Sequence, residues 1–84
     1  MLVNAEARAQ LAVLAAKFPP TIQLEFQHMA ASHPLAHIAK RFPTGFRQAA
    51  CGASFRLSDS VPAEDGDLVC QRCAYWFRIR SEGG

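Results

Sequence analysis

The chain has 84 residues, half of them hydrophobic, and a formal net charge of +2. That composition excludes an intrinsically disordered chain, and the weak charge does not point to a dedicated electrostatic binder of nucleic acid. A chain this short buries only roughly 60% of the surface its unfolded form exposes, so a disulfide, a metal or a partner commonly reinforces such a core.

Taken in chain order, the first element is a helix over 4–18, with Asn4 as its N-cap and many alanines behind it. Ala7, Leu11, Leu14 and Phe18 fall on one face, and Pro19-Pro20 stops it. The face is expected to pack on the domain; the competing role is a docking helix for a partner. Residues 21–29 alternate, with Ile22, Leu24, Phe26 and His28 on one side and Gln23, Glu25 and Gln27 on the other, which predicts a half-buried strand. A helix is the competitor, because Ile22, Phe26, Met29 and Ala30 also fit a 3.6-residue period. Residues 31–34 read as a break, and 35–42 as a short strand or turn that carries His37. Pro43-Thr44-Gly45 signals a turn, and 46–55 a second strand running through Cys51. Residues 57–67 are polar and acidic and contain Pro62 and Gly66, the pattern of a surface loop. The stretch 74–80 fits a strand, by alternation, or a short helix starting at Cys73; 81–84 is expected to fray.

These elements give an α+β fold in one domain, 1–84. An N-terminal helix packs on a small antiparallel sheet, and residues 35–80 form a zinc-ribbon-like C-terminal half. Charge is uneven along it. From residue 40 onward stand Lys40, Arg41, Arg47, Arg56, Arg72, Arg78 and Arg80, while the acidic residues bunch mostly in the 57–67 loop. The arginines are expected to share a face that this loop leaves uncovered.

No segment reaches the roughly 18 apolar residues of a membrane span, and the first residues do not read as a secretory signal. The expected compartment is the cytoplasm, where thiols stay reduced and a C-x-x-C serves a metal or redox role. The odd number of cysteines, three, also argues against a pure disulfide framework.

Those cysteines carry the main chemical signal. Cys70-Gln71-Arg72-Cys73 is a C-x-x-C, whose tight turn aims two sulfurs at one point, and Val69 before it can pack beneath the turn. Cys51-Gly52 has the form of half an opposing turn, with glycine allowing the backbone to fold round the sulfur. A tetrahedral zinc site needs a fourth donor. His37 is the favoured one, with His33 and His28 as alternatives. His28 lies on the apolar face of its strand, where a hydrogen-bonded core role suits it, and His33, before a proline, reads as a solvent residue.

The order His, Cys-Gly, polar loop, hydrophobic-Cys-x-x-Cys resembles small zinc-binding proteins frequent in actinobacteria and their phages. The resemblance spans residues 35–75 and leaves out the N-terminal helix and the following strand. It implies a zinc-ribbon-like or zinc-finger-like site, with ligand roles on His37, Cys51, Cys70 and Cys73.

The leading functional expectation is a non-enzymatic, zinc-stabilised module that binds and modulates a host or cellular protein. Arg72, Trp76, Arg78 and Arg80 are its candidate contacts, because aromatics and arginine are enriched at binding hot spots. Trp76 is the expected exposed anchor, while Tyr75, Phe77 and Ile79 are expected to fill the core. The alternative is a small zinc-dependent nucleic-acid-binding or regulatory protein. An enzyme is disfavoured: four protein ligands leave zinc no open position, and the sequence has no phosphate loop, nucleophile elbow or thioredoxin-like context. No small-molecule substrate and no membrane partner are expected.

Overall fold

The computed structural model describes residues 1–30, 32–53 and 59–82. The end of the expected 46–55 strand, Arg56, the start of the acidic loop and the last two glycines fall outside the described residues.

Helix α1, Ala5–Ala15, starts where Asn4 predicts: the Asn4 side chain accepts the Ala7 amide at 2.8 Å, satisfying one of the unpaired first-turn N–H groups. It is shorter than 4–18, ending in turns before the two prolines. Ala7, Leu11 and Leu14 are buried, and Phe18 packs half-buried against the core.

Four strands follow: β1 Gln23–His28, β2 Ala36–Arg41, β3 Arg47–Ala49 and β4 Val61–Pro62. They form an antiparallel sheet in the order β3-β2-β1-β4, and the C-terminal helix α2, Gln71–Glu82, completes the α+β fold. Phe26 lies opposite Ile38 across β1 and β2, and both are buried with Val3, Leu14, Val69 and Phe77. Alternation therefore wins over the helical period in β1, because a period of two puts Leu24, Phe26 and His28 on one face.

Expectations for the sheet region and for the arginines are corrected. The second strand does not run through Cys51: β3 ends at Ala49, and residues 49–52 form a turn closed by the Gly52 amide donating to the Ala49 carbonyl at 2.9 Å. The acidic segment is more than a loop, since Val61 and Pro62 pair with His28 and Gln27 at the sheet edge, where a proline lacking an N–H is tolerated. The arginines do not share one face. Arg41 and Arg47 meet Glu25 at 3.5 and 3.6 Å on the sheet, whereas Arg72, Arg78 and Arg80 stand on α2.

The 74–80 segment is helical, the second of its two sequence readings. Of the three residues expected in the core, only Phe77 is buried; Tyr75 and Ile79 are 61% and 45% exposed. A helix turns 100° per residue, so alternating positions cannot share one buried side. Trp76 is not a free anchor either: it is half-buried, 6.1 Å from the Phe18 ring, with the Arg80 guanidinium 5.9 Å from its own ring. No described helix is long and apolar enough to cross a membrane.

Candidate metal centre

The edge of β2 gathers the site. On that edge the Ala36 amide donates to the Leu68 carbonyl, and the Cys70 amide donates back to the Ala36 carbonyl, both at 2.8 Å. Two residues further on, the Ile38 carbonyl accepts the Ala50 amide at 2.8 Å. Two chain segments distant in sequence thus dock on neighbouring residues of one strand, and His37 stands between their docking points. One brings Cys51 in the 49–52 turn; the other brings Cys70 and Cys73.

Gly52 makes the first turn possible. Its φ of +93° lies in the left-handed region, which glycine enters without a steric penalty. The second segment uses a helix start. The Ala74 amide donates to the Cys70 carbonyl at 2.9 Å, so Cys70 stands at the N-cap of α2. One helical turn later, Cys73 is fully buried.

One donor atom from each of His37, Cys51, Cys70 and Cys73 can be chosen so that all four lie within 4.8 Å of one another. His37 Nδ1 is 3.6 Å from Cys51 Sγ and 3.5 Å from Cys73 Sγ. A tetrahedron with metal–sulfur bonds of roughly 2.3 Å and metal–nitrogen bonds of roughly 2.0 Å has N···S edges of about 3.5 Å. The cluster therefore has the donor types and the spacing to hold a metal ion.

Electrostatics differ among the donors. Burial lowers the pKa of His37, assisted by the nearby His33 and His28, which favours the neutral imidazole that ligates metals. Burial pushes the Cys73 thiol up to about 12, against the backbone amides of Ile38 and Cys51 that donate to its sulfur. Burial also acts to raise Cys70, but the amides of Cys73 and Arg72 at the helix start, helped by the Cys51 and Cys73 side chains, outweigh it and lower the pKa below 9.0. One sulfur thus gives up its proton more readily than a free thiol and another resists charge, a difference that a cation among them would remove by deprotonating its thiol ligands.

The other two histidines take separate places. His28 has a ring nitrogen 3.0 Å from the Leu35 carbonyl and the other 2.7 Å from an Asp67 carboxylate oxygen. Both partners only accept, so both ring nitrogens donate and the ring is an imidazolium. The Asp67 hydrogen bond is the largest cause of its raised pKa, and the same contact lowers that of Asp67. His28 thus fills the hydrogen-bonded core role. His33 is not a solvent residue: it is half-buried, its ring 5.3 Å from that of His37 and its Nδ1 3.2 Å from the Leu35 carbonyl.

Among the partner candidates, Arg72, Arg78 and Arg80 are exposed on α2, with Arg78 lying 5.4 Å over Tyr75. Sequence reasoning missed the backbone amides that donate to the sulfurs, which leave no side-chain signature, and the Asp67–His28 pair. A signal for that pair existed: a histidine on an apolar strand face needs a polar partner, and a loop rich in carboxylates supplies one. Compared with protein-family models, curated proteins and solved structures, the chain matches none.

Proposed function

We propose that the chain is a non-enzymatic, zinc-stabilised module that binds a protein partner through α2. The observation that carries the metal reading is the convergence of His37, Cys51, Cys70 and Cys73 within 4.8 Å. Zinc is the preferred ion because three thiolates and one imidazole form a common structural zinc set, which needs no further ligand. A closed coordination shell leaves no place for substrate or water, and this favours a staple over a catalyst. The donor order also agrees with the resemblance to small zinc proteins of actinobacteria and their phages. The partner reading rests on the exposed arginines of α2, Arg72, Arg78 and Arg80, with Trp76 half-buried beneath Arg80.

The test has two arms. Elemental analysis of the purified chain should find one zinc per chain, abolished in Cys70→Ser; a metal-free chain with a chelator-insensitive thermal melt refutes the staple. Zinc-loaded chain used for affinity capture should retain a protein that an Arg78→Glu/Arg80→Glu chain loses. Binding of mixed-sequence DNA with a steep salt dependence, in place of a protein, would instead favour the nucleic-acid reading, because phosphate contacts release counterions.

A further inference from the structure

Helix α2 carries an exposed stripe in which Arg72 is joined by three residues, Tyr75, Ile79 and Glu82, that the partner reading does not use. Arg72, Tyr75, Ile79 and Glu82 are spaced i, i+3, i+7 and i+10, and all four are exposed. This is the spacing at which one side of a helix meets a second helix. Two large apolar side chains in the middle of a solvent-facing helix are unusual for a chain that must stay soluble by itself, and here they are adjacent at i and i+4.

The stripe is also self-complementary when reversed. It reads base, apolar, apolar, acid from the helix start to its end. Lay a second α2 antiparallel against it, with the twofold axis at Phe77. Positions then pair so that their numbers sum to twice 77: Arg72 meets Glu82 of the second copy, and Tyr75 meets its Ile79. A parallel arrangement instead sets arginine against arginine and glutamate against glutamate. Isologous contacts of this kind close into a dimer and stop there.

We propose that the Arg72–Tyr75–Ile79–Glu82 stripe binds a second copy of this chain, making an antiparallel α2–α2 dimer. The proposal rests on the reading of α2 as a protein-binding surface and is independent of the metal. Beside the stripe, an open groove of about 910 Å³ runs between α1 and α2, with Tyr75 on one wall and Val13, 67% exposed, on the other. The Tyr75 side of the seam can therefore extend its apolar contact beyond α2. A twelve-residue helix is only about 18 Å long, so the interface is small and the dimer is expected to be weak.

Charge reversal tests the register. Sedimentation equilibrium is run on the zinc-loaded chain from low micromolar to near-millimolar concentration, with metal content measured on the same samples. The unmodified chain should dimerise. Arg72→Glu alone and Glu82→Arg alone each place like charges at both ends of the seam and should weaken self-association by roughly tenfold. A mixture of the two singly substituted chains restores opposite charges at both ends and should dimerise at least as well as the unmodified chain. Circular dichroism should be unchanged, since both positions are exposed. A monomer throughout the range overturns the proposal, and so does a dimer indifferent to these substitutions. Loss of metal with the dimer intact counts against the staple alone. Dimerisation that fails while the Arg78→Glu/Arg80→Glu chain still loses a captured protein counts against the second copy but leaves the α2 surface reading standing.

Discussion

Asp67 and Cys70 stand three residues apart, and each fastens the same stretch of chain to the β1–β2 pair by a different chemistry. The Asp67 tie is complete within the protein: one carboxylate oxygen takes the His28 ring at 2.7 Å and the Glu64 amide at 2.8 Å, and the other ring nitrogen takes the Leu35 carbonyl. Every donor has an acceptor. The Cys70 tie gathers four groups that are all electron-pair donors once ionised, at distances that suit a shared cation. The first tie is a closed account of hydrogen bonds and the second a demand for positive charge. Their closeness sets, on one short segment, a tie completed by the protein's own hydrogen bonds beside a cluster whose donor types and spacing suit an ion.

The widest separation between the two ties is expected from Cys70→Ser. Losing one thiolate from a structural zinc site removes binding free energy that is also folding free energy, on the order of 10 kcal/mol in isolated zinc modules. At least the segment from β2 onward should lose hydrogen-exchange protection, while α1 should keep only the protection that its contacts with β1 supply without α2. A variant with zinc-free but undiminished protection over Gln71–Glu82 would show that the Asp67 tie suffices alone.

His28→Leu tests the other tie, and its effect should be smaller, about 1–3 kcal/mol, because it removes two hydrogen bonds, one of them to a carboxylate, while Asp67 keeps the Glu64 amide. Urea unfolding measures it, and metal stoichiometry should stay unchanged. The same pair sharpens the comparison through pH. The folded pKa of His28 is raised above 6.5, so its stabilisation is fully present below 6.5 and is lost as pH rises through the folded value. The folded pKa of Asp67 is lowered below 3.8, so its contribution is present above 3.8 and lost as pH falls through the folded value. The stability difference between the unmodified chain and His28→Leu should therefore be greatest between 3.8 and 6.5 and shrink toward alkaline pH. Metal ligation runs the other way, gaining as thiols deprotonate. A difference that grows with pH would contradict the imidazolium assignment.

The smallest effect belongs to Gly52→Ala. No atom lies within 4 Å of where the new methyl carbon would sit, so the cost is confined to the left-handed backbone, about 1 kcal/mol. A melt in the presence of zinc reads it, and a much larger loss would mean that the Cys51 turn tolerates no relaxation around the cluster.

Much of this arrangement was legible in the sequence. The Asn4 cap, the Ala7–Leu11–Leu14 face and the alternation through Leu24, Phe26 and His28 are local patterns, and local patterns survive folding when burial reinforces them. The four candidate ligands were legible for a related reason, since two-residue spacing and a following glycine both describe short turns. What was not legible depended on distant partners. The end of β3 is set by where the Ala50 amide meets Ile38, and β4 exists because Val61 and Pro62 lie along β1. Residues 75, 77 and 79 alternate as a strand does, and nothing within that stretch reveals that the Cys70 carbonyl and its neighbouring amides open a helix there. The role of His33 was hidden too, because its tilted contact with the His37 ring depends on tertiary placement that the local sequence does not reveal.

The contact between Phe18 and Trp76 has an optical consequence. The chain has a single tryptophan, and its indole spans the space between the end of α1 and the middle of α2, with a guanidinium near one face. Its emission therefore reports on how the two helices sit together without any attached dye. Trp76 follows Cys73 by three residues on the same helix, so a colour change in that emission on metal addition or removal would register whether an event at the four donors reaches the contact between Phe18 and Trp76.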